Sequence, residues 1–303
     1  MGTLRWVALC LATLFAPHAA FGQAADVPYV PTPFNVVEAM LDMANVGPGD
    51  FVIDLGSGDG RIVITAAKKY GARGFGVDLD GGLVSGARRE AERQGVKDKV
   101  EFHTRNLFIT EIREATVLTM YLFPSVLTQL RPRIFAELKP GTRVVSHEFD
   151  FGSWRPDAQK TIAVPGKSYG PPSSAVYLWI VPAHAAGRWQ WKLAHGGPSV
   201  DYDLNLEQTF QDLRGSVQVA RQSARLERAG VRGDEITLVV SARIDGREVR
   251  HELAGRVAGD SITGAARLEG SASQVPWQAT RVSRGRVNID AAAGDSAIAL
   301  TRP

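Results

Sequence analysis

The stretch Val52-Ile53-Asp54-Leu55-Gly56-Ser57-Gly58-Asp59-Gly60-Arg61 limits the possible folds more than any other part of this 303-residue chain. A short apolar run ends near a carboxylate, three glycines follow at alternate positions, and Ile62 to Tyr70 has a helical pattern. Glycine permits a tight turn and lets a ligand lie against bare backbone, so a strand, a ligand-binding turn and a helix are expected in that order. In the dinucleotide fingerprint the third glycine falls three positions after the second. That position here is Arg61, and Gly60 comes two after Gly58, so the spacing disfavours NAD. Asp54 lies before the turn, where it would repel a pyrophosphate but suit the amino group of a zwitterionic methionine moiety. The charge therefore favours S-adenosylmethionine (SAM). Gly74 to Asp78 reads as the next buried strand, and a carboxylate at its end can accept both ribose hydroxyls. Cofactor contacts are expected from Asp54, Gly56, Ser57, Gly58, Asp59, Gly60, Asp78 and Leu79. Asn106 and Leu107, after a third strand at Val100 to His103, are expected to hold the adenine.

The surrounding pattern extends this unit into a domain. Helical periodicity covers Phe34 to Asn45, Leu83 to Gln94 and Val126 to Leu138, and further strands are expected at Val117 to Leu122, Arg143 to Phe149 and Ala175 to Val181. Helices alternating with short apolar strands predict an α/β fold over residues 27–182, a Rossmann-like, mostly parallel sheet with helices on both faces. Residues 188–303 read differently, as short alternating runs cut by Arg232-Gly233-Asp234, Asp245-Gly246 and Ala258-Gly259-Asp260. An antiparallel all-β domain is expected there, a small barrel or a sandwich. The small-residue segment Ala183-His184-Ala185-Ala186-Gly187 suits a boundary, and the tryptophans on either side of it suggest packing between the two parts.

The first residues read as a signal peptide, residues 1–22, with Arg5 as the positive region, Trp6 to Phe15 as the apolar run and Ala20-Phe21-Gly22 as the cleavage site. The apolar run is shorter than the roughly 20 residues needed to span a bilayer. The expectation is export to the periplasm or beyond, with no stable membrane insertion after cleavage. Cleavage would remove Cys10, the sole cysteine, so no disulfide or cysteine-based metal site is expected. The charge is nearly balanced, 35 Lys and Arg against 32 Asp and Glu, and interspersed, which gives no reason to expect a nucleic-acid partner.

Tyr29-Val30-Pro31-Thr32-Pro33, Asp54 through Ile62 and Gly76-Val77-Asp78 together resemble the seven-strand protein-lysine methyltransferases that act on the c-subunit of ATP synthase and the adenine nucleotide translocase, and their bacterial relatives. The resemblance covers roughly residues 28 to 155. It implies a class I methyltransferase fold, SAM as cofactor, a lysine-directed reaction, and closure of the Tyr29–Pro33 segment over the active site. Asn106 stands where such enzymes commonly carry aspartate. Tyr29, Thr32 and Glu148 are the candidate catalytic residues. The first two precede the opening helix, and Glu148 lies near the carboxyl end of a central strand, the ligand-facing edge of such sheets. Met120-Tyr121-Leu122-Phe123-Pro124 lacks the Asn/Asp-Pro-Pro-aromatic signature of enzymes that methylate nucleic-acid amines. A protein amine is the expected acceptor. The alternatives are a small-molecule acceptor, and an exported, non-catalytic nucleoside-binding protein whose β-domain holds the ligand.

Overall fold

The computed structural model describes residues 29–168, 170–194, 198–269 and 274–290, so the expected signal peptide lies outside the described residues. Compactness divides the chain into Met1–Val30 and Pro31–Pro303. Of the first unit only Tyr29 and Val30 are described, as coil.

The second unit opens with α1 (Phe34–Met43), whose Val36, Val37, Met40 and Leu41 form one buried stripe. Then come β1 (Phe51–Leu55), α2 (Arg61–Tyr70), β2 (Arg73–Asp78), α3 (Gly81–Arg93), β3 (Val100–Thr104), β4 (Val117–Met120), α4 (Pro124–Glu137), β5 (Arg143–His147), β6 (Ala158–Ala163) and β7 (Ser173–Ile180). They build a seven-stranded sheet in the order β3-β2-β1-β4-β5-β7-β6. The first five strands are parallel, and β7 runs antiparallel to both β5 and β6. Alternation along each strand divides the sheet's apolar residues between its faces. Val52, Val117, Val145 and Val176 pack with α1 and α2, while Ile53, Leu55, Leu118 and Met120 pack with Leu127, Leu130 and Ile134 of α4. Each central strand is thereby covered on both sides, as a parallel sheet requires.

Sequence patterning did not locate β6. Its residues Ala-Gln-Lys-Thr-Ile-Ala are almost all exposed, so it lies at the sheet edge without the apolar alternation that marks a strand. Two expected strands also end early: β4 stops at Met120 and β5 at His147. The cause at β5 is Glu148, whose φ of 67° takes the backbone out of the extended region.

The remaining strands are β8 (Gly187–Ala194), β9 (Ser199–Thr209), β10 (Asp212–Val219), β11 (Gln222–Arg232), β12 (Glu235–Ile244), β13 (Arg247–Ala258), β14 (Ser261–Leu268), β15 (Gln274–Arg284) and the short β16 (Val287–Asn288). β8 to β15 pair antiparallel in chain order, and β15 returns to β8, closing an eight-stranded barrel. Closure removes the exposed sheet edges, which decides between the barrel and the sandwich left open by the sequence. The bore is filled by side chains: Trp189, Trp191, Tyr202, Leu204, Ile236, Leu238, Leu253, Ile262 and Trp277 are all buried. Trp191 and Tyr202, opposite each other on β8 and β9, stack with centroids 4.9 Å apart. All three turn signals fall at hairpin turns. The turns at Phe210 and at Ala220-Arg221 were not marked by the sequence, because non-glycine residues adopt positive φ there.

The barrel and the α/β part share a core. Phe210, at the turn between β9 and β10, is 1% exposed and lies 6.3 Å from Trp154 and 6.0 Å from Phe135, with the Arg131 guanidinium 5.3 Å from its ring. Ala183 N donates to Gly233 O at 2.7 Å, and Gln211 Nε2 donates to Arg155 O at 2.7 Å. Gly233, φ 58°, comes so close to Gly141 that a Cβ would sit 3.2 Å from Gly141 Cα. Gly141 precedes β5 and Ile180 ends the antiparallel β7. The barrel therefore docks at the amino-terminal edge of the parallel strands, opposite the edge that carries the glycine turn.

Candidate active site

The glycine turn is built on left-handed backbone, with φ of 80°, 52° and 79° at Gly56, Gly58 and Gly60. Gly56 N and Ser57 N both donate to Val77 O at 2.9 Å, and Gly58 N donates to Asp78 Oδ2 at 2.8 Å. These bonds tie the turn after β1 to the end of β2. A Cβ on Gly60 would come within 2.6 Å of the Phe102 ring, so glycine is required there for space as well as for φ.

Asp54 is 1% exposed. Its Oδ1 accepts from Thr119 Oγ1 at 2.8 Å. Burial pushes its carboxyl up to about 7; the Thr119 bond opposes this, and the nearby Asp78 and Asp59 reinforce it. A buried carboxylate with one neutral donor is undercompensated and calls for a cation. Close by in the turn, the buried Ser57 Oγ has no hydrogen-bond partner among the described residues. These two uncompensated groups fit the ammonium and carboxylate of a methionine moiety. Asp78, half-buried, already accepts from Gly58 N and from Asp80 N at 3.0 Å, which fixes both oxygens at the place expected for a ribose. Leu79 is exposed beside it. Asn106 Oδ1 accepts from Phe108 N at 2.8 Å, capping the short 3-10 turn Leu107–Ile109, and Leu107 packs partly into the core.

Asp59 has a further structural task. It pairs with Arg61, and Arg61 Nη1 donates to Thr32 O at 2.8 Å. The cofactor turn is thus braced against the segment that leads into α1. Arg61 was not singled out in the sequence, although a cation in the first turn of a helix opposes the helix dipole and so signals a specific partner.

A second cluster sits at the carboxyl end of β5. Thr32 Oγ1 lies 3.1 Å from His147 Nδ1, and both side chains are buried. His147 Nε2 is 3.6 Å from Glu148 Oε2. The Tyr121 ring, just beyond β4, lies 4.1 Å from the imidazole. Burial lowers the His147 pKa to about 4; Glu148 opposes this and Lys167 adds to it. The imidazole is therefore neutral near pH 7, and with its proton on Nε2 it accepts from Thr32 Oγ1 and turns N–H toward Glu148. Glu148 also meets Lys167 Nζ at 3.3 Å. Two of the three candidate catalytic residues, Thr32 and Glu148, are thus joined through His147. The third, Tyr29, belongs to the first unit and is 45% exposed. Lys167 was not identified from the sequence, since a single lysine in a Pro- and Gly-rich loop gives no signal there.

A seven-stranded sheet with an antiparallel β7 inserted between β5 and β6, a glycine turn after β1 and an acid at the end of β2 define a class I SAM-dependent methyltransferase. The ANTKMT methyltransferase domain family matches residues 54–158. A protein-lysine N-methyltransferase of Saccharolobus islandicus is 43% identical over 159 residues, which make up 52% of this chain and 96% of that protein. The chain belongs to this protein-lysine N-methyltransferase family, and its cofactor is SAM. The mouse adenine nucleotide translocase lysine N-methyltransferase is 37% identical, over 54% of this chain and 66% of that protein. The human lysine N-methyltransferase named for the c-subunit of ATP synthase is 34% identical, over 43% of this chain and 55% of that protein. A crystal structure of a Salinibacter ruber RNA methyltransferase with S-adenosyl-L-homocysteine shares 51% identity, covering 50% of this chain and 93% of that one, with a TM-score of 0.45. Because the aligned residues take up nearly all of the Saccharolobus islandicus relative, nothing in it corresponds to the other half of this chain.

Proposed function

We propose that the chain methylates a lysine side chain of a protein, with Glu148 as the carboxylate that receives the acceptor amine. Glu148 carries this reading: it follows β5 directly at the ligand-facing edge, and its side chain is 23% exposed among nearly buried neighbours. SAM bound at the turn supplies an activated methyl group. The protein's task is then to hold the acceptor nitrogen in line and to assist loss of its proton. Asp54 and Ser57 would fix the methionine end and Asp78 the ribose. Neutral His147, held by Thr32, faces Glu148 without adding a positive charge that would repel an ammonium. Exposed Phe34, Leu79, Ile109 and Phe123 lie at the openings of α1 and α4 and after β2 and β3, on this same edge, and suit a macromolecular acceptor better than a small polar one. The relatives named for lysine methylation support the same reading.

Incubation of the purified chain with labelled SAM and separate protein and RNA extracts tests the proposal. Label is expected in protein, on lysine, and is expected to fall at least tenfold in Glu148→Gln. Label in RNA alone would overturn it. We further propose export, from the apolar run and small-residue site in residues 1–22. A fusion of residues 1–30 to a reporter active only outside the cytoplasm is expected to give signal, and a full-length cytoplasmic product would refute this.

A further inference from the structure

Lys167 lies on the loop joining β6 and β7, yet its side chain is only 3% exposed. Lysine is seldom so buried, and an ammonium taken out of water is tolerated only when paired and hydrogen-bonded. Here Nζ donates to Ser173 O at 2.8 Å, Ser174 Oγ at 3.1 Å and Glu148 Oε2 at 3.3 Å. The first two partners lie at the end of the same hairpin. The contact with Glu148 reaches across to the end of β5.

The distribution of contacts on Glu148 is uneven. Lys167 and His147 both approach Oε2, and Oε1 has no hydrogen-bond partner among the described residues. The backbone at Glu148 is held in its left-handed conformation by donation of its N–H to Ala175 O at 2.7 Å. Glutamate does not favour that conformation, and it persists where surrounding contacts enforce it, often at functional sites. One oxygen is thus tied down by an ammonium and faced by an imidazole, in a side chain that is still 23% exposed.

We propose that Lys167 is a positioning residue for methyl transfer: its ion pair with Oε2 fixes the Glu148 carboxylate so that Oε1 meets the acceptor amine. This rests on the reading of Glu148 as the acceptor carboxylate. Lys167 acts through Glu148 and touches neither substrate nor cofactor. A free carboxylate would sample several rotamers, and a small misplacement of an orienting group is enough to slow a displacement reaction.

The test is a double-mutant cycle on the full chain, using wild type, Lys167→Gln, Glu148→Gln and the double variant. Glutamine keeps a donor for Ser173 O and Ser174 Oγ but removes the charge. Initial rates of methyl incorporation are measured across a dilution series of one protein extract at saturating labelled SAM, and SAM affinity is measured by calorimetry. Lys167→Gln is expected to lower apparent kcat on the order of tenfold, with SAM affinity unchanged, and to have no further effect once Glu148 is glutamine. Lys167→Met provides the same comparison if the glutamine variant fails to fold. Losses that multiply in the double variant, or a Lys167 variant that loses thermal stability at unchanged kcat, would overturn the proposal. If Glu148→Gln alone leaves kcat unchanged, the assignment of Glu148 fails first, and the role of Lys167 falls with it.

Discussion

Cofactor affinity should depend on pH through one group, Asp54. Burial raises its carboxyl to about 7 in the free protein, so half of the molecules carry a proton there at that pH. An ammonium bound against it favours the charged form and lowers the pKa in the complex. Binding below pH 7 must therefore release the proton, and affinity falls as pH falls. At pH 6 only about one tenth of the free protein has the carboxylate ionised, a loss of about tenfold in affinity, roughly 1.4 kcal/mol, relative to the fully ionised protein. Titration calorimetry from about pH 5.5 to about 7.5 measures this and keeps below the range near 8 in which an α-amino group itself loses its charge. Repeating it in two buffers of different ionisation enthalpy counts the protons released, with close to one expected at pH 6. Asp54→Asn should bind SAM weakly and without this slope. A flat affinity across the range, or a slope that persists in Asp54→Asn, would refute the reasoning.

Asp78→Ala removes the anchor of Gly58 N together with the ribose acceptors, and charged hydrogen bonds contribute about 1.5–3 kcal/mol each; calorimetry should show SAM affinity lowered at least tenfold. Gly60→Val would place a branched side chain on left-handed backbone against Phe102, so a loss of both folding yield and SAM binding is expected, read by thermal melting with and without cofactor. Phe210→Ala empties a site among Trp154, Phe135 and Arg131 and should destabilise the chain by about 3–5 kcal/mol, measured by urea unfolding. A chain ending at Pro182 keeps every residue of the cofactor site and should still bind SAM, though less stably because Phe210 is missing.

The cofactor half of the site was legible in the sequence because its chemistry is local. Asp54, the glycines and Asp78 lie within one strand-turn-helix-strand unit, and glycine spacing together with the charge of Asp54 separated them from a dinucleotide site. The acceptor half was legible only in part. Thr32 and His147 are 115 residues apart, and the contact between them depends on β5 lying in the middle of the sheet. Arg61 and Lys167 act on parts of the chain that no periodicity connects. The barrel's turns were readable where glycine supplied the positive φ. At Ala220 and Arg221 non-glycine residues take that conformation and leave no glycine to mark the turn, and at Phe210 tertiary packing overrides local preference because its side chain completes the neighbouring core.

That hairpin tip also bears on how the protein is made. Domains tend to fold as they emerge during synthesis, amino-terminal parts first. By Ile180 all seven strands of the catalytic sheet have been synthesised, but the aromatic surface formed by Trp154 and Phe135 still lacks its covering ring. It stays uncovered until Phe210 has been added and the first barrel hairpin has closed. A nascent chain at that stage presents an apolar patch to its surroundings, so a pause or premature stop between Pro182 and Phe210 would yield a sheet with its cofactor residues in place and a surface prone to association.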